Sequence, residues 1–79
     1  MRTALDIARA AKLAKPHIRY AASQDNSCVV AMDAGRWVRV AAHTIDGRWV
    51  SMPYELLVNG EPIPLPRLTE IEDYQLNDC

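Results

Sequence analysis

The chain has 79 residues, 49% of them hydrophobic and 24% charged, and a formal net charge of −1. That length suits one compact domain and is too short for two, and a single core of this size supplies only roughly 3–5 kcal/mol of net stability. No apolar run approaches the roughly 20 residues of a membrane-spanning helix, and Asp6, Arg9, Lys12 and Lys15 interrupt the alanine-rich N-terminus, so neither a membrane anchor nor a secretory segment is expected.

Thr3 followed three residues later by Asp6 has the form of a capping box, and the stretch after it is rich in alanine. This predicts a helix over residues 3–15, ended by Pro16, which lacks the donor a continuing helix needs. Ala4, Ile7, Ala11 and Ala14 make a smooth stripe suited to close approach to a sheet. Leu5 and Leu13 lie toward the other side with Arg9 between them and need a cover of their own. Residues 17–22 admit two readings, a short second helix or a first strand with Ile18 and Tyr20 on one face.

From Cys28 onward, short β-rich runs alternate with turns. Gly35, Gly47 and Gly60 fall in those turns as Ala-Gly, Asp-Gly and Asn-Gly, the rhythm of an antiparallel meander. Strands are expected near 28–32, 36–43, 48–52, 54–58 and 61–65. A two- or four-residue loop at Asp46-Gly47 would put Trp49 on the face of Val38, Val40 and Ala42, in the core. Trp37 would then lie on the outer face beside Arg39 and Ala41. Pro62, Pro64 and Pro66 alternate and describe a blunted edge strand. Thr69 and Glu72 form a second capping box, with Leu68, Ile71 and Tyr74 at helical spacing, which predicts a short acidic helix near 68–76, with an ordered extended arm as the competing reading.

Together these elements predict an α+β fold in one domain spanning 1–79. Its helix lies within 1–15 and packs on a four- to five-stranded antiparallel meander over 28–65. An acidic C-terminal segment, 66–79, follows. The charge is divided along the chain: residues 1–54 hold eight Lys/Arg against four Asp, and residues 55–79 hold one Arg against six Asp/Glu. Such opposed patches suit pairing with each other, with a second copy or with a charged partner.

Little in the sequence points to catalysis. His17 and His43 are the only histidines, His43 is expected to be exposed beside a turn, and no nucleophile-base arrangement presents itself. Cys28 and Cys79 match no metal-ligand spacing and are expected to be free thiols, Cys28 buried. Glu70, Glu72 and Asp73 read as a solvated acidic face. No enzyme activity, cofactor or metal is expected.

Residues 8–21 resemble the helix-turn-helix of mercury-resistance-type (MerR-type) regulators. Ala8 stands where that motif packs a small residue, Leu13 at the apolar turn position, and Ile18 and Ala21 where the second helix faces the first. The Ile18-Arg19-Tyr20 triplet is typical of the family, and the following hairpin would stand in for its wing. The resemblance implies DNA binding, with Lys15, His17, Arg19 and Tyr20 facing the duplex and Arg36 and Arg39 near its phosphates.

In size and layout the chain also resembles the small accessory proteins of bacteriophages and mobile elements, among them anti-CRISPR inhibitors. That resemblance implies a cytoplasmic protein in a bacterial host, binding a protein or ribonucleoprotein complex by occupying one of its surfaces. The expected binding residues are Trp37 and Arg39 on the outer sheet face, with Glu70, Glu72 and Asp73 as an acidic element. A protein-binding inhibitor or regulator is therefore the leading expectation and a small DNA-binding regulator the alternative. A homodimer is compatible with either.

Overall fold

The computed structural model describes residues 3–51, 57–58, 60–62 and 64–71. One helix, α1 (Ala4–Ala14), packs on a five-stranded antiparallel sheet. Four strands are consecutive: β1 (Tyr20–Ser23), β2 (Cys28–Asp33), β3 (Arg36–His43) and β4 (Trp49–Ser51). A separate two-stranded ladder joins β5 (Leu57–Val58) to β6 (Glu61–Pro62) around Gly60, whose φ of 81° supplies the left-handed step of a two-residue hairpin loop. Among the described residues the final strand, β7 (Leu68–Glu70), returns to the far side of β1, so the sheet order is β4-β3-β2-β1-β7. The fold is thus α+β, as expected.

α1 begins as the capping box predicts. The Thr3 hydroxyl accepts from the Asp6 amide at 3.2 Å, and the Asp6 carboxylate accepts from the Thr3 amide at 3.1 Å. A further anchor comes from far along the chain: Asn26, in the β1–β2 loop at φ 66°, accepts the Ala4 amide through its side-chain oxygen. Asn tolerates that left-handed conformation better than most residues, so one residue shapes the loop and ties the helix to it.

The sheet-facing side of α1 is Ala4, Ile7, Ala8 and Ala11, packed on Tyr20, Ala22, Val29, Ala31 and Ile71. Ala14, expected in this stripe, is exposed. Small residues let the helix axis come close to the sheet, and Ala8 is fully buried. Leu5 and Leu13 remain exposed.

The ambiguity at 17–22 resolves as turn and then strand; the second helix of a helix-turn-helix does not form. Tyr20, Ala21, Ala22 and Ser23 are all buried, which a two-faced strand inside a sheet achieves and a short surface helix does not. Lys12 fixes the turn. Its buried ammonium donates to the carbonyl of Pro16 at 2.8 Å and to that of Ile18 at 3.2 Å.

β3 carries a bulge. Val30 pairs with Arg39 and Val29 with Ala41, leaving Val40 as an extra residue. Consequently Ala41 turns to the helix side with Val40, away from Trp37. The β3–β4 hairpin is closed by the Thr44 amide donating to the Arg48 carbonyl and the Arg48 amide donating to the Thr44 hydroxyl, with Gly47 at φ 88°, and His43 pairs with Trp49. His43 is therefore half-buried against Trp49, with ring centroids 5.2 Å apart, rather than exposed.

Two expectations for the C-terminal third are corrected. The strand expected at 61–65 ends at Pro62, and residues 64–67 have no regular structure; Pro64 and Pro66 cannot donate to a ladder. Where the helix at 68–76 was expected to start, β7 forms instead, pairing Leu68 with Ser23 and Glu70 with Ala21. The open edge of β1 captures the segment, because its backbone groups would otherwise be buried unpaired. Ile71 follows without regular structure; the remainder of that expected helix, from 72 on, lies outside the described residues, as does most of the strand expected at 54–58.

Candidate binding surface

The sheet face opposite α1 carries the candidate site. Its apolar floor is Ala21, Cys28 and Val30, with Trp37, Leu65 and Leu68 packed against it. Residues 64–67 cross this face on the way from the β6 side to β7. The Pro64 carbonyl accepts from Arg39 Nη2 at 2.9 Å, and the Arg67 carbonyl accepts from the Gln24 amide at 2.8 Å.

At the end of the sheet near the β2–β3 turn, Arg19, Trp37 and Glu70 meet. Ala21 pairs with Glu70 on β7, and the Met32 amide donates to the Arg19 carbonyl, while Met32 pairs with Trp37. These pairings set three side chains from three strand regions on one face. Arg19 Nε and Nη2 donate to the two Glu70 carboxylate oxygens at 2.9 and 2.7 Å, and the guanidinium carbon lies 5.4 Å from the Trp37 ring centroid. A bidentate pair and a stacked ring together hold the guanidinium in one plane. The hydrogen bond from Arg19 keeps the Glu70 carboxyl below its ordinary value, aided by the charges of Arg19 and Lys12. Arg19 retains 55% and Glu70 32% of side-chain exposure, so the cluster is a surface ledge resting on the apolar floor.

The residues proposed from sequence separate on this frame. Trp37 is half-buried, packed like Leu65 and Leu68 on the apolar floor, and forms one edge of the ledge. Arg39, expected to be exposed beside it, is buried at 5% exposure under the crossing. Glu70 pairs with Arg19 instead of standing in a free acidic face; Glu72 and Asp73 lie outside the described residues. Of the residues assigned to DNA, Tyr20 belongs to the core beneath α1. Lys15, His17 and Arg36 are exposed. They lie at the Arg19 end of the sheet, in the loop leaving α1 and at the start of β3.

Sequence reasoning placed Arg19 and Trp37 in different hypotheses, and the structure puts them in contact. The available signal was parity: with 17–22 as a strand, Arg19 and Ala21 share a face. Asn26 and Lys12 were missed as structural anchors, because their partners are backbone groups chosen by the turn geometry.

A concavity of about 430 Å³ lies between the start of α1 and β1 and β7, lined by Thr3, Leu5, Ala22, Gln24, Asn26 and Thr69 among others. Among the described residues no group of three His, Cys, Asp or Glu side chains is placed to hold a metal ion, and no helix is long and apolar enough to cross a membrane.

Comparison of the chain with protein-family models, curated proteins and solved structures finds no match.

Proposed function

We propose that the chain is a non-catalytic binding protein, an inhibitor or regulator of the kind phages and mobile elements encode, that occupies a surface of a larger protein or ribonucleoprotein complex. The observation that carries this reading is the Arg19–Trp37–Glu70 ledge. Arg and Trp are enriched among residues that dominate binding energy. Here the arginine is held in place before any partner arrives, which lowers the entropy lost on association. The ledge also borders an apolar floor, the arrangement of a polar rim around a hydrophobic centre.

A second reading, DNA binding without a recognition helix, draws on the exposed Lys15, His17, Arg19 and Arg36 at the same end. Phosphate contacts by such a cluster would be strongly salt-dependent.

The test is affinity capture from bacterial lysate by the wild type, Trp37→Ala and Arg19→Ala, with circular dichroism confirming that each is folded. Loss of one specific partner in both variants supports the ledge; equal capture by all three rejects it. A mobility shift of mixed-sequence DNA that weakens steeply with salt, and is reduced by Lys15→Ala and Arg36→Ala, would favour the second reading instead.

A further inference from the structure

Residues 64–67 cover the sheet face in an unusual way. They carry a proline at 64 and at 66, form no ladder, and are exposed or half-buried themselves. Yet beneath them are Cys28 at 2%, Val30 at 0% and Arg39 at 5% exposure. Among the described residues, the polar ties of this crossing include Arg39 to the Pro64 carbonyl and Gln24 to the Arg67 carbonyl where β7 begins. Its apolar tie is Leu65 on the Ala21–Cys28–Val30 floor. β7 has anchors of its own. These are the ladder to β1, the Arg19–Glu70 pair, and Ile71, which is buried on the opposite face beneath α1.

The crossing can therefore separate from the face without disturbing β7 or the helix-side core. Segments with few buried contacts and few backbone hydrogen bonds open at a lower free energy than the fold as a whole. We propose that residues 64–67 are a strap, closed by Leu65 and by Arg39, that opens locally about the start of β7 while the rest of the sheet stays folded. Opening joins Arg39 and the Cys28–Val30 floor to the Arg19–Trp37 ledge as one continuous surface. Use of that enlarged surface by a protein partner rests on the proposed function, but the opening does not.

Cys28 reports the opening, because it is buried in the floor on which Leu65 packs. In a Cys79→Ser background, which leaves Cys28 as the sole thiol, its reaction with a disulfide reagent is measured across low urea concentrations. Global stability is measured separately by urea denaturation. The strap predicts a rate nearly independent of urea at low concentration, since a local opening exposes little surface. Leu65→Ala and Arg39→Gln should each raise that rate about tenfold, the scale on which loss of one such anchor acts. Ile7→Ala, which weakens the other face, should lower global stability and leave the rate in water unchanged. A rate that follows global stability in all three variants, with the urea dependence of complete unfolding, would overturn the strap. This outcome involves no partner, so it is distinct from failure of the ledge to bind one.

Discussion

The Arg19 guanidinium and the Glu70 carboxylate meet through two hydrogen bonds, at 2.9 and 2.7 Å, across the ladder that attaches β7 to β1. This ion pair is the charged fastening of β7, and it should be visible in acid. The folded-state pKa of Glu70 lies below its ordinary value of 4.5, chiefly through the Arg19 hydrogen bond. Its contribution is therefore present above pH 4.5 and lost as pH falls through the lower, folded value. In urea denaturation the wild type should exceed Glu70→Gln by no more than about 1 kcal/mol at neutral pH, since the pair is partly solvated. The gap should narrow as pH falls below the ordinary value of 4.5 and through the lower, folded value. A gap constant with pH would show that the pair does not stabilise the fold through its charge. Asp25, held below its ordinary range by the Ser27 and Ser23 hydroxyls, should leave some acid sensitivity in both proteins.

Asn26 combines a left-handed backbone with a cap on the first amide of α1. Replacing it by Ala removes the cap and strains the loop, and should cost about 2 kcal/mol in urea denaturation. Asn26→Gly keeps the backbone freedom and should lose less. Asn26→Asp, which places a negative charge at the helix N-terminus, should be close to neutral. The order Asp, Gly, Ala from best to worst is the checkable result.

Lys12 is buried with its ammonium on two carbonyls of the turn between α1 and β1. Lys12→Met preserves much of the aliphatic packing and removes both bonds. A loss of about 1–3 kcal/mol is expected. Amide exchange of Ile18, whose N–H donates to the Lys15 carbonyl, should accelerate by more than that of β2, reporting a loosened turn.

The bulge at Val40 makes a counterintuitive prediction. Arg39 and Ala41 already point to opposite faces, so deleting Val40 restores regular alternation without moving either. The shortened protein should fold, with Trp49 still on the helix side of the sheet and a loss of about 1–2 kcal/mol for the missing half-buried side chain. Tryptophan emission of a Trp37→Phe version, with and without Val40, should show Trp49 in the same environment. A shift to solvent-exposed emission would mean that the bulge, and not the pairing on either side of it, holds the register.

Trp49 also shows how a sequence argument and a structure can agree for different reasons. Its expected place on the face of Val38 and Val40 assumed an even-numbered loop and an unbroken β3. In the structure the loop lies one residue away from that register, because His43 rather than Thr44 pairs with Trp49. The bulge shifts the face by one residue as well, and the two shifts cancel. Ala41 and Ala42, lying between them, do exchange sides: Ala41 packs beneath α1, and Ala42 pairs with Cys28 of the other face. Strand periodicity constrains each residue only relative to its neighbours, so a single extra residue changes every face beyond it.

Local chemistry was enough to determine the helix with its Thr3–Asp6 cap, the strand at 36–43, the glycine-centred turns and the burial of Cys28, because each rests on propensity or hydrogen bonding within a few residues. It was not enough for residues 17–22 or 68–70, which are short segments compatible with either helix or strand. Each becomes a strand by supplying backbone partners to the other, a choice made across some fifty positions of chain. The same long-range pairing brings Arg19 to Glu70 and both to Trp37, and buries Arg39 beneath residues 64–67. The ledge is thus a product of tertiary structure, since none of its residues is adjacent in sequence and only the order of strands makes them neighbours.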